Sequence, residues 1–232
     1  MVNFSKWMNE IIGYYPTIIG GWAVYMYNPT GFGSRDIDVV IPTREMKEKV
    51  IDLYLFNNGY EIRKRAFGEM EWIKELEPDN PNSITYLDVC TTEDRNLVHG
   101  GDLEIPWKIA YDNRNLKDID GVKIYVPKPE ALFLLKVKAA WDRDYDIQNS
   151  GGNAFLRDKV IKDRFDIISL LKSCPLNHNI LKGFLDELGF DRQFKDAVAR
   201  SLSDEMAVKA HSLSDHELKT LEDEGNSILK NM

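Results

Sequence analysis

Two aspartates lie one residue apart in Ser34-Arg35-Asp36-Ile37-Asp38-Val39-Val40-Ile41, and a third stands in Ile84-Thr85-Tyr86-Leu87-Asp88-Val89-Cys90. Both stretches carry the β-branched and apolar residues of strands. Side chains alternate along a strand, so Asp36 and Asp38 share one face while Ile37 and Val39 share the other. Neighbouring carboxylates repel, and burying either without a partner is costly. A divalent cation removes that conflict, and hard oxygen donors suit magnesium. Asp88 is disfavoured inside its strand on the same grounds. If that strand pairs beside Asp36–Ile41, the three carboxylates converge, and three acids in one pocket suit a two-metal centre for in-line attack on phosphorus. Upstream, Ile18-Ile19-Gly20-Gly21-Trp22 sets two glycines between a strand and a helix. Glycine lets a backbone approach a phosphate closely, with helix N-terminal amides aimed at it. Each feature alone is weak: Asp-x-Asp is commonly a polar strand face, Gly-Gly a turn, and Asp88 a strand end. Their joint order carries the signal.

The elements that position these residues follow from patterning. We expect a short amphipathic helix over Phe4–Ile12, a strand Thr17–Ile19 and a helix Trp22–Tyr27. Turn formers fill Asn28-Pro29-Thr30-Gly31-Phe32-Gly33, and a strand runs Arg35–Ile41. Thr43 is a good N-cap for a helix reaching Asn57, with Met46 at N3 and Asn58-Gly59 as its stop. Strands are expected at Tyr60–Arg65, Glu69–Leu76, Ile84–Thr91 and Val122–Val126. After Pro127 the pattern becomes helical: Pro129–Asp144, Ala154–Cys174, Leu176–Leu188 and Ser203–Lys230. The expected organisation is a mixed α/β domain over residues 1–127 and a helical domain over 128–232.

Composition bounds the rest. The 232 residues are 43% hydrophobic and 11% aromatic, enough for a full core without disulfide or metal staples. Lys plus Arg is 30 against 38 Asp plus Glu, a net charge of −8, which argues against duplex DNA as a partner. Cys90 and Cys174 have no partner spacing, so a disulfide framework and a cysteine-rich zinc site are excluded. The four histidines are scattered, none in a ligand spacing. Without a signal sequence or membrane span, the expected location is the cytoplasm.

The order of strand, Gly20-Gly21, helix, Gly33-Ser34 turn, Asp36-x-Asp38 and later Asp88 resembles the nucleotidyltransferase superfamily, which includes kanamycin nucleotidyltransferase and the CCA-adding enzymes. Fourteen residues separate Gly21 from Asp36, and fifty positions separate Asp38 from Asp88. The resemblance covers about residues 15–130 with specific motifs. It implies an α+β fold, a mixed sheet flanked by helices followed by an all-helical C-terminal domain. It implies Asp36, Asp38 and Asp88 as catalytic residues and magnesium ligands of a two-ion site, with manganese as the alternative ion. Gly20 and Gly21 would lie near the triphosphate of ATP or another nucleoside triphosphate, and Ser34 would bond a phosphate. Phe32 and Gly33 stand where relatives often carry an arginine, and alternation turns Arg35 away from the acids.

In the helical half, Lys136 and Lys138 lie in the apolar run Pro129–Trp141; they are expected to carry their ammonium groups out to solvent, the alternative being a reach toward phosphate. Lys159, Lys162, Asp163 and Asp166 form a stripe at i, i+3, i+4 and i+7 whose lysine-to-aspartate pairs run in the less favourable direction. Lys162-Asp163-Arg164-Phe165-Asp166 is similar to a Lys-Asp-x-x-Asp motif of nucleotidyltransferases of the toxin–antitoxin and phage-defence type. That similarity implies Lys162 and Asp163 as nucleotide contacts. The expected activity is metal-dependent transfer of a nucleoside monophosphate to a hydroxyl acceptor, which could be a small molecule, a protein side chain or an RNA end. The rival is a catalytically silent nucleotide- or partner-binding module of the same fold. Dehalogenase-like phosphatases fit poorly, because their apolar strand precedes the acids. A sugar-nucleotide glycosyltransferase calls for a longer chain.

Overall fold

The computed structural model describes residues 1–29, 34–64, 70–77, 80, 83–152 and 154–230. The expected turn formers Thr30 to Gly33, and the expected strand ends Arg65 and Glu69, lie outside them. Two compact units form. One comprises Met1–Tyr25, Phe32–Asp94 and Trp107–Lys128; the other comprises Met26–Gly31, Arg95–Pro106 and Pro129–Met232. Among the described residues, no helix is long and apolar enough to cross a membrane.

The first unit is built on a seven-stranded mixed sheet. Its strands are β1 (Thr17–Ile19), β2 (Asp36–Ile41), β3 (Glu61–Lys64), β4 (Met70–Glu75), β5 (Ile84–Thr91), β6 (Arg114–Ile119) and β7 (Val122–Pro127). They lie in the order β3-β4-β5-β2-β1-β7-β6. β1 runs antiparallel to β2 and parallel to β7, while β2 runs parallel to β5. β1 is flanked on both sides, which is why all three of its residues are buried. The helices of this unit are α1 (Val2–Trp7), α2 (Gly20–Tyr25), α3 (Arg44–Val50) and α4 (Lys108–Asp112). Ile18, Val39, Leu55, Leu87 and Ile124 are among the fully buried residues of its core.

Local sequence accounts for most of these boundaries. Thr43 Oγ1 accepts the Met46 N–H at 3.3 Å and caps α3, as its spacing predicts. The helix changes winding after Val50, through a wide π turn at Ile51–Leu55 and a 3₁₀ turn at Phe56–Asn58. Gly59 then stops it in the left-handed region. α2 begins two residues earlier than expected, at Gly20, so β1 passes into it without a loop. β6 was not expected. Its six residues are mostly polar, and it forms by antiparallel pairing with β7 across Asp120-Gly121, both at positive φ. Asp118 Oδ1 accepts the Gly121 N–H at 2.8 Å within that hairpin.

The second unit holds α5 (Pro129–Ser150), α6 (Ala154–Ser173), α7 (His178–Leu188), α8 (Asp191–Ser203), α9 (Glu205–Ala210) and α10 (Asp215–Lys230). Leu135, Val137, Ile167, Leu170, Phe194 and Val198 are buried in it. α8 was not expected, although Phe194, Ala197, Val198 and Ser201 bury one face at helical spacing. Arg95–Pro106 belongs to this unit because it is tied to α5. The His99 N–H donates to Asp142 Oδ1 at 2.9 Å, and Trp141 Nε1–H donates to the His99 carbonyl at 2.9 Å.

Candidate functional site

β2 and β5 pair in a register that sets Asp38 opposite Asp88, Asp36 opposite Tyr86 and Val40 opposite Cys90. Opposed residues on strands about 4.8 Å apart share a face, so Asp38 and Asp88 project from the same face of the sheet. Asp36 stands on that face one repeat away, roughly 6.6 Å along the strand. Ile37, Val39, Leu87 and Val89 fill the opposite, buried face. Asp36 and Asp38 are partly exposed, and Asp88 is exposed. Among the described residues no group of three or more His, Cys, Asp or Glu side chains is gathered to hold a metal ion. The donor set is therefore an adjacent pair, with the third acid one step further on.

Gly20 meets this pair from the other side. Ile19 of β1 lies opposite Asp38, so the chain leaves β1 and enters α2 beside that carboxylate. A Cβ built on Gly20 would fall 1.9 Å from Asp38 Oδ2 and 2.8 Å from its Cγ, and Gly20 has φ +66°. Both the space and the backbone conformation demand glycine. Gly21 and Ser34 are buried. The carboxylate oxygens of Asp38 and Asp88 are hard donors of the kind magnesium takes. Magnesium takes only one or two protein carboxylates and completes its octahedron with waters and phosphate oxygens.

Cys90 reports the field on this face. Its Sγ lies 4.0 Å from Asp88 Oδ1. Burial pushes the thiol well above its ordinary pKa, and the carboxylates of Asp88, Asp38 and Asp94 add to this against the opposing Lys47 ammonium. Lys47 Nζ reaches Asp94 Oδ2 at 3.3 Å, and the Thr91 N–H donates to the same oxygen at 2.9 Å. Burial works to raise the Asp94 pKa, but these two donors hold it below the usual carboxylate range. Sequence reasoning passed over Cys90 and Lys47; strand alternation places Cys90 on the Asp88 face, whereas nothing in the sequence signals Lys47.

Lys162 and Asp163 lie on α6 in the second unit. Asp163 is 4% exposed and is engaged by Arg143 of α5 and, at 3.5 Å, by Lys136 Nζ. Lys136 also reaches Asp166 Oδ2 at 2.6 Å, and Lys138 reaches Asp142 at 2.6 Å. Both lysines are 8% exposed, so the expectation that they carry their charge to solvent is corrected. The aspartates of the Lys162–Asp166 stretch find their cations on the neighbouring helix, which explains why pairing within α6 looked unfavourable. Arg164 points elsewhere, to a two-pronged bond with Asp144 and to Asp204. Burial works to lower its pKa, but these carboxylates raise it.

No protein-family model and no curated relative matches the sequence. The crystal structure of an antigenic nucleotidyltransferase-like protein from Paracoccidioides brasiliensis is similar, with a TM-score of 0.51 at 16% identity. The match covers 94% of this chain and 89% of that one. The two chains share a fold.

Proposed function

We propose that this protein is a metal-dependent nucleotidyltransferase, moving a nucleoside monophosphate from a nucleoside triphosphate to a hydroxyl acceptor. The observation that carries the reading is the registered Asp38–Asp88 pair with the Gly20 backbone pressed against Asp38. Asp36, Asp38 and Asp88 would hold the magnesium ions. When bound, those ions supply charge neutralisation at the triphosphate and a lowered pKa for the attacking hydroxyl. Gly20 and Gly21, at the start of α2 beside the Asp38 carboxylate, would lie on the triphosphate side, and Ser34 would donate its hydroxyl to a phosphate. Asp38, nearest the glycines, serves the phosphate side. Asp88, arriving from a separate strand, would serve the acceptor side, as a ligand of the second ion or as the base that receives the hydroxyl proton. The Asp163 carboxylate, in the other unit, is already occupied by Lys136 and Arg143.

The test is transfer of label from each of the four common nucleoside triphosphates, with magnesium or manganese, to small hydroxyl compounds, proteins and RNA ends. Thermal melts run alongside. Magnesium with the right triphosphate should stabilise the fold by roughly 2–3 kcal/mol at a hundredfold excess over its dissociation constant. Magnesium alone should do much less. Stabilisation without transfer to any acceptor would favour a silent nucleotide-binding module instead.

A further inference from the structure

β3 is an outer strand of the sheet, bonded on one side only, to β4, among the described residues. Outer strands of monomeric proteins are commonly kept short or guarded by charged side chains, bulges or covering loops, and β3 is short and carries Glu61, Arg63 and Lys64. Here the second residue of the strand, Ile62, is 46% exposed and stands opposite Trp72. The Trp72 ring meets Phe56 edge-on at 5.1 Å between centroids. Phe56 is 58% exposed, and Leu53, one helical turn before it, is 48% exposed. These residues make an apolar patch that continues from the sheet edge onto the helical segment beside it. Isolated exposed apolar side chains are ordinary, but an apolar patch beside an open strand is what an interface offers.

The charges beside Ile62 say what covers the edge. Glu61 and Arg63 flank it and point to the opposite face of the sheet. Arg63 is kept on that face by Glu75, at 2.6 Å. We propose that β3 pairs antiparallel with β3 of a second copy of this chain, about a two-fold axis through Ile62. In that register Ile62 meets Ile62 of the second copy, and the Phe56 and Trp72 rings of both copies lie on the same side of the extended sheet. On the other side Glu61 faces Arg63 of the second copy, and the symmetry repeats the pair. A shift by one residue would set Ile62 against Arg63 and lose both complementarities. The edge is thus self-complementary in one register, in apolar contact on one face and in charge on the other.

Sedimentation equilibrium of the full chain over the micromolar range tests this. A concentration-dependent dimer is expected, and Ile62→Asp should leave only monomer. Glu61→Arg and Arg63→Glu should each weaken the dimer by roughly tenfold or more, because the symmetry doubles every like-charge contact. The double exchange, Glu61→Arg with Arg63→Glu, should restore it. Ile62, Glu61 and Arg63 are exposed, so the monomer's far-UV circular dichroism should be unchanged in every variant. A parent chain that stays monomeric overturns the proposal and leaves the edge to a strand of another protein. A dimer indifferent to Ile62→Asp, or single-charge losses that the double exchange does not repair, overturns it as well.

Discussion

In the helical unit Asp163 and Asp166 are 4% and 2% exposed, and cations from α5 lie against both. In the sheet unit Asp38 and Asp88 are in register with one another, and both keep contact with solvent. The first arrangement neutralises its acids with the protein's own side chains, which is what burial in a low-dielectric interior requires. The second gathers like charges on an open face, where a mobile cation and a polyphosphate can enter. Carboxylates that look equally suggestive in a sequence thus divide into those that hold helices together and those that are open to a ligand.

The sharpest way to break this contrast is to neutralise one acid of the open pair. Asp88→Asn should lower nucleotide transfer by roughly a thousandfold or more, equivalent to ~4 kcal/mol, while leaving most nucleotide affinity intact. Asp38→Asn should weaken both, measured by label transfer and by nucleotide titration. Near-parental transfer by Asp88→Asn would reduce Asp88 to a strand residue. Lys136→Met comes next: two buried carboxylates lose a cation, and the fold should lose about 3–5 kcal/mol in chemical denaturation. Adding Asp166→Asn to Lys136→Met should recover part of that loss. Unchanged stability with abolished transfer would instead move the helical acids into the functional class.

Gly20→Ala should act on the open pair more gently, costing about 1–3 kcal/mol for the forced backbone and the displaced Asp38 carboxylate. The added stabilisation by magnesium and triphosphate should shrink with it, as read in thermal melts. The smallest effect is expected at His211, which stacks on Phe165 at 3.8 Å between centroids. Burial lowers its pKa below the ordinary value of 6.5, against the Phe165 carbonyl that favours the charged ring. The unfolded chain therefore takes up the proton first. Stability owed to His211 is full above pH 6.5 and is lost as the pH falls through the folded value. His211→Phe should flatten the dependence of the melting temperature on pH in that acidic range.

Much of the fold was legible in the residues. β1 and β5 run over the spans their composition suggests, Thr43 caps α3, and the change from mixed to helical patterning falls at Pro127–Pro129. β6 was passed over because Arg114–Ile119 has little strand character of its own, although Asp120-Gly121 is a strong hairpin signal. α8 was passed over despite its clear spacing of Phe194, Ala197 and Val198. Alternation put Asp36 and Asp38 on one face, but no local rule reveals which strand lies beside them. The Asp38–Asp88 register spans fifty positions and is a property of the folded sheet. Likewise, spacing within α6 could not reveal Lys136 and Arg143, because partners across a helix pair have no fixed separation in sequence.

The register of β2 against β5 also guards the folding of the sheet. Slipping β5 by a single residue would turn Asp88 into the layer held by Ile37 and Val39, and would bring Leu87 or Val89 out to water. The misaligned chain would bury a bare carboxylate and strand an aliphatic side chain, two penalties incurred together. The same acid proposed to meet the acceptor is thus a proofreader of strand alignment. A neutral, apolar replacement at position 88 should then do more than silence chemistry: it should let misaligned sheets persist, seen as slower recovery of native signal and more aggregation on refolding.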